Sequence, residues 1–169
     1  MKIFITGVAG FLGSHLAERM INIGHEVLGN DNLIGGDIEN INKKIKFFKT
    51  DCNDLEGMVK ITKDCDIVYH CAATAHEGLS VFSPHIITNN IFQASVSVIT
   101  AAIKNKVKRF IYCSSMARYG NQKSPFNEEM KPQPVDPYGV AKVAGEETLK
   151  ILENLNNMEW NIAVPHNII

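Results

Sequence analysis

Within its first fifteen residues the chain runs from a β-branched and aromatic segment, Lys2 to Thr6, into Gly7-x-x-Gly10-x-x-Gly13. It then enters apolar residues at helical spacing: Leu16, Ala17, Met20 and Ile21. Strand, glycine turn and helix in that order build an anion site, because each glycine has a separate task. Gly7 permits the tight turn out of the strand. Gly10 lacks a Cβ, so a phosphate can approach the backbone. Gly13 lets the helix lie close to the strand, and the helix N-terminus offers free N–H groups and positive dipole.

The rest of the chain repeats the alternation. Strands are expected at Lys2–Thr6, Glu26–Asn30, Ile45–Lys49, Asp66–Cys71, Arg109–Cys113 and Trp160–Val164. Helices are expected at about Leu12–Ile23 (stopped by Gly24), from an Asp51–Asp54 cap to about Lys63, at His85–Lys104 and at Tyr138–Asn156. Continuous apolar strands separated by helices belong to a parallel sheet covered on both faces. Right-handed crossovers then give the doubly wound α/β (Rossmann) order 3-2-1-4-5-6, with ligands at the carboxyl ends of the strands. At 169 residues the chain reads as one domain. The proline-bearing stretch Ser124–Pro137 is long enough to be a functional loop.

Composition narrows the partners. A net charge of −1 gives no field for nucleic acid or an anionic membrane. No apolar run approaches ~18 residues, and the N-terminus lacks a signal-peptide layout, so a cytoplasmic chain is expected. The four cysteines contain no C-x-x-C pair and read as reduced, partly buried thiols. The six histidines show no metal-binding spacing, and no metal is expected.

Asp31 follows Gly13 by eighteen residues, at the end of strand two. A carboxylate there accepts hydrogen bonds from an adenosine ribose and repels a 2′-phosphate, favouring NAD over NADP; a plain turn carboxylate is the alternative. Asp51, ending strand three, is placed for an adenine amino group, or else is an N-cap or turn carboxylate. Tyr138 and Lys142 stand one helical turn apart, so both leave one face of their helix. An ammonium beside a phenol favours the phenolate, which can take a proton from a substrate hydroxyl. Ser115, after strand five, can hydrogen-bond the same hydroxyl.

The segments TGVAGFLGSH (6–15), DNL (31–33), TDCND (50–54), HCAA (70–73), Asn90, SSMARYG (114–120), PYGVAK (137–142) and PHNI (165–168) together resemble the extended short-chain dehydrogenase/reductases, in particular their NAD-dependent nucleotide-sugar epimerase/dehydratase group. The resemblance covers the whole chain. It implies Ser115, Tyr138 and Lys142 as the catalytic trio, with Ser115 on the substrate and Tyr138 and Lys142 also meeting the cofactor. Gly7, Gly10 and Gly13 would hold the pyrophosphate with the backbone of Phe11 and Leu12. Asp31 and Asn32 would take the adenosine ribose, Asp51 and Cys52 the adenine, and Ala72, Ala73 and Thr74 the nicotinamide side. Asn90 would support the active-site backbone, and Asn167 would begin a substrate-contacting loop.

Two departures refine this. Sugar dehydratases of the group carry an acidic pair after the catalytic hydroxyl residue, where this chain has Met116 and Ala117. That favours 4-epimerisation of a nucleotide sugar through a 4-keto intermediate over dehydration or reduction. Members also run to roughly twice this length, so residues 1–169 correspond to the NAD-binding domain without the C-terminal substrate domain, and a binding module without turnover is the other reading. Apolar surface beside Val164–Ile169 and the Ser124–Pro137 loop leads to an expected homodimer through the long helices.

Overall fold

In the computed structural model, which describes residues 1–153 and 157–168, six strands form one parallel sheet. They are β1 (Lys2–Thr6), β2 (Glu26–Asp31), β3 (Lys46–Lys49), β4 (Ile67–His70), β5 (Arg109–Cys113) and β6 (Glu159–Ala163). Their order is β3-β2-β1-β4-β5-β6, the expected one, and it switches direction between β1 and β4. Among the described residues the α-helices are α1 (Phe11–Asn22), α2 (Leu55–Ile61), α3 (Pro84–Ile87), α4 (Ala94–Lys104) and α5 (Pro137–Glu153). The expected end of the last helix, Asn156, lies outside the described residues.

Helix ends follow local chemistry. Gly24, at φ +89°, ends the turn after α1. Asp54 accepts from the Gly57 N–H at 2.9 Å and caps α2, so Asp51 is free of that duty. Asp136 accepts from Gly139 N–H at 2.8 Å ahead of α5, whose first residue is proline.

Period-two alternation in the central strands sorts side chains to two layers. Ile3, Ile5 and Val27 pack with Val8, Ala17 and Ile45 on the α1 side. Phe4, Leu28, Val68, Phe110 and Tyr112 pack with Met58, Val98, Ile99 and Leu149 beneath α2, α4 and α5. On the α1 side, Ile67 and Tyr69 of β4 pack against the edge of that cluster and, like Ile111 of β5, stay half-buried. The stretch Pro84–Lys104 has the length and mean hydropathy, 21 residues and 1.4, of a bilayer span. Polar residues such as Thr88, Asn89, Asn90 and Gln93 interrupt it. Its apolar residues Ile87, Ile91, Val98 and Ile99 are buried inside this fold. Between α3 and α4 it contains a π-turn, Thr88–Gln93, a feature that often marks functional positions.

Candidate active site

A cleft of about 620 Å³ opens at the carboxyl ends of the strands, where the sheet order switches. Every site residue singled out from the sequence lines it: Gly7, Gly10, Phe11, Leu12 and Gly13; Asp31, Asn32, Asp51 and Cys52; Ala72, Ala73, Thr74 and Asn90; Ser115, Tyr138, Lys142 and Asn167. Residues far apart in sequence meet because β1, β2, β3, β4 and β5 all end on one rim.

The glycine turn is built as the pattern required. Gly7 sits at φ +68°, and a Cβ there would lie 2.8 Å from Ala72 Cα. At Gly13 a Cβ would fall 2.1 Å from the Gly7 carbonyl oxygen, so no side chain fits. Gly10 precedes α1, whose first turn carries no acidic residue, and its N–H bonds back to the Gly7 carbonyl at 3.0 Å. The N–H groups opening α1 have no intrahelical partner and point to the cleft end of the helix. This cradle fits a pyrophosphate.

Asp31 does more than wait for a ribose. Its Oδ2 accepts from Ala9 N–H at 3.1 Å and its Oδ1 from Leu33 N–H at 2.8 Å, tying the glycine turn to the β2 exit. Each oxygen keeps a second lone pair for a ligand hydroxyl. Asn32 donates to Asp51 Oδ2 at 2.8 Å, and Asn53 donates to Asp51 Oδ1 through its backbone at 2.8 Å and its amide at 3.0 Å. Burial acts to raise the Asp51 carboxyl, but these donors outweigh it and hold it below its usual range. The Cys52 side chain turns into the core, where burial pushes its thiol up to about 12, so only its backbone can serve an adenine.

At the other end, Tyr138 and Lys142 leave one face of α5, both buried. Ser115 Oγ accepts from Ala117 N–H at 3.1 Å, holding the turn after β5, and faces the same cleft as Tyr138. Lys142 donates to the Cys113 carbonyl at 2.6 Å and lies 5.8 Å from the Tyr138 ring centre. The expected lowering of the phenol by Lys142 is not what this geometry gives. Burial pushes the Tyr138 phenol up, and the nearby Ser115 hydroxyl offsets only part of that. Burial likewise pulls the Lys142 ammonium down to about 8, and the nearby Cys113, Cys71 and Glu146 offset only part of that. Asn90, on the π-turn, donates to the Thr74 hydroxyl at 3.1 Å, so it braces the β4 exit through a side chain rather than a backbone group. Asn167 is exposed at the cleft edge.

Beneath these residues runs a buried polar chain that the sequence reading missed. Thr6 Oγ1 accepts from the N–H groups of Cys71 and Ala72, both at 3.1 Å, and pairs with His70 Nδ1 at 2.8 Å. His70 Nε2 meets Ser95 Oγ at 3.0 Å, and Ser95 donates to the Ile91 carbonyl. The chain pins the wall at Ala72 to β1 and to the helix carrying Asn90. Its signal was the pairing of the last residues of β1 and β4, visible only once those strands are known to be neighbours. A second cluster fixes α5: Glu146 accepts from Ser114 Oγ and pairs with Arg118 at 3.1 Å, anchoring both sides of Ser115.

Comparison with known proteins agrees with this geometry. The NAD dependent epimerase/dehydratase family matches residues 3–169. A putative UDP-glucose 4-epimerase from Methanocaldococcus jannaschii is 32% identical over 163 residues, covering 95% of this chain and 53% of its own. Two solved structures superpose closely. The Thermotoga maritima UDP-glucose 4-epimerase with UDP-glucose has a TM-score of 0.92 at 32% identity, covering 96% of this chain and 54% of that one. The Thermus thermophilus UDP-glucose 4-epimerase in complex with NAD gives 0.91 at 30%, with 96% and 54% covered. The chain spans about half the length of these relatives.

Proposed function

Since the chain belongs to the NAD-dependent epimerase/dehydratase family, we propose that it supplies the cofactor-binding and proton-transfer half of a nucleotide-sugar 4-epimerase. The observation that carries this reading is the meeting of Ser115, Tyr138 and Lys142 at one end of a cleft whose other end is a pyrophosphate cradle. Gly7, Gly10 and the opening N–H groups of α1 hold the pyrophosphate of NAD, Asp31 and Asn32 the adenosine ribose, and Ala72, Ala73 and Thr74 wall the nicotinamide end. NAD, when bound, supplies a reversible hydride acceptor.

The chain's own groups manage the proton. Tyr138 is the group of the trio that exchanges a proton with the sugar hydroxyl, because Lys142 is held by the Cys113 carbonyl. Oxidation at C4 needs that proton removed, and return to either epimer needs it given back. The phenol pushed up by burial is the form that returns it. Ser115 orients the sugar oxygen, and Lys142 supplies positive charge near the phenol and a donor for a ribose hydroxyl. Met116 and Ala117 offer no acid or base for loss of water, which supports epimerisation over dehydration.

The test joins residues 1–169 to the C-terminal half of one of the relatives and assays interconversion of UDP-glucose with UDP-galactose, and of their N-acetyl forms. Tyr138→Phe is expected to slow turnover by ~10²–10⁴ with NAD affinity nearly unchanged. Turnover at the parent's rate would defeat the mechanism. NAD binding with no interconversion by the parent would instead identify a cofactor-binding module.

A further inference from the structure

Two cysteines that the proposed chemistry does not use stand side by side on the cleft floor. Tyr112 of β5 pairs with His70 of β4, so the next residues, Cys113 and Cys71, are lateral neighbours across the sheet. Neighbouring strands lie about 4.8 Å apart, inside the Cα separation of about 4.4–6.8 Å that a disulfide accepts. Their sulfurs are 3.6 Å apart and share a hydrogen bond. Both side chains are half-buried and both line the cleft. The other two thiols differ. Cys52 and Cys65 are buried, and burial pushes them up to about 12 and about 11.

We propose that Cys71 and Cys113 are an oxidisable dithiol, a modification site on the cleft floor that a low-molecular-weight disulfide such as oxidised glutathione converts to a protein disulfide. Cys113 is the attacking sulfur. The Cys71 thiol donates to it and the Lys142 ammonium lies close by, and together these hold the Cys113 thiol below its ordinary value. Its thiolate attacks one sulfur of the oxidant, breaking that S–S bond and releasing one glutathione thiolate. With Cys113 now in a mixed disulfide, Cys71 no longer shares its proton with a thiolate and gives it up. The Cys71 sulfur then attacks the Cys113 sulfur and expels the second glutathione. The protein loses two electrons and two protons, and the oxidant gains them as two thiols.

Closing the bridge moves backbone that the cleft depends on. The sulfurs must approach by roughly 1.5 Å. The Cys113 carbonyl is the anchor of Lys142, and Cys71 precedes the Ala72 wall. A ligand filling the cleft covers both sulfurs, so the dinucleotide shields the pair from oxidant. This shielding rests on the NAD reading above; the bridge itself does not.

The test incubates the reduced 169-residue chain with oxidised glutathione, quenches in acid, and reads intact mass and linked peptides. The expected product has lost two hydrogens, joins the Cys71 and Cys113 peptides, and reverts with dithiothreitol. Cys71→Ser should stop at one glutathione on Cys113. Four free thiols at equilibrium, or a bridge through Cys52 or Cys65, would overturn the proposal. NAD binding is measured on the reduced chain by calorimetry, and saturating NAD should slow bridging at least ~10-fold. An unslowed rate with NAD bound overturns the shielding. A reduced chain that takes up no NAD defeats the cofactor reading, while mass still decides the bridge.

Discussion

Asp31 combines two tasks in one carboxylate, and substitutions separate them. It lines the cleft at the end proposed for the ribose, while its two oxygens hold the N–H groups of Ala9 and Leu33. Removing the carboxylate altogether loosens the glycine turn and weakens any dinucleotide. Asp31→Asn keeps an acceptor and removes the charge that repels a 2′-phosphate. The expected outcome is a smaller gap between NAD and NADP affinities in calorimetric titration, and an unchanged or wider gap would refute the assignment. His70 makes a prediction about stability. Burial pushes its imidazole down to about 3, with the Lys142 charge adding to the effect. Below about 6.5 the unfolded imidazole binds a proton that the folded one refuses, so stability is lost as pH falls from there towards 3. The slope from this one group is about 1.4 kcal/mol per pH unit. Urea unfolding of the parent and of His70→Asn between pH 7 and 4 should show curves that converge at that rate. Parallel curves would mean the ring is not held neutral.

At the scale of elements, the β1–α1 junction is the least tolerant place in the fold. Its geometry depends on close approach of backbone, and flexible side chains cannot relieve a clash there. A methyl at Gly13 would meet the Gly7 carbonyl, so Gly13→Ala must push α1 off β1. We expect a stability loss of about 3 kcal/mol by urea unfolding, together with loss of NAD binding. Wild-type affinity in that variant would show that the helix N-terminus does not grip the pyrophosphate. The π-turn at Thr88–Gln93 is the matching feature of the α3–α4 stretch: Asn90, within it, meets Thr74.

For the whole molecule, several large apolar side chains stay exposed on and around the long helices. Phe82 is 81% exposed, Ile86 52%, and Val140, on the outer side of α5, 55%. Patches of this kind favour association. Val135, in the Ser124–Pro137 loop, and Ile168 are exposed as well, 60% and 46%, and the homodimer expected from that surface through the long helices remains a prediction. Light scattering at tens of micromolar should give twice the chain mass, and Val140→Glu should shift it to the monomer. A parent that is monomeric there removes the expectation.

The sequence by itself determined the sheet, its parallel sense and its order. Apolar runs alternating with helical periodicity leave few ways to bury both faces, and right-handed crossovers remove most of those. It also determined the glycine turn between β1 and α1, because three glycines at fixed spacing answer steric demands that are local to one turn. Candidate chemistry at Tyr138 and Lys142 was legible for the same reason, since two residues one helical turn apart share a face whatever surrounds them. Tertiary structure alone decided the rest. The state of the Tyr138 phenol depends on how deeply it is buried and on Lys142 choosing the Cys113 carbonyl, and neither is written in local spacing. The Thr6–His70–Ser95 chain and the Cys71–Cys113 pair join strands or helices 25 to 64 residues apart. Each member looks unremarkable in sequence, and only the register of neighbouring strands puts their polar atoms within bonding distance.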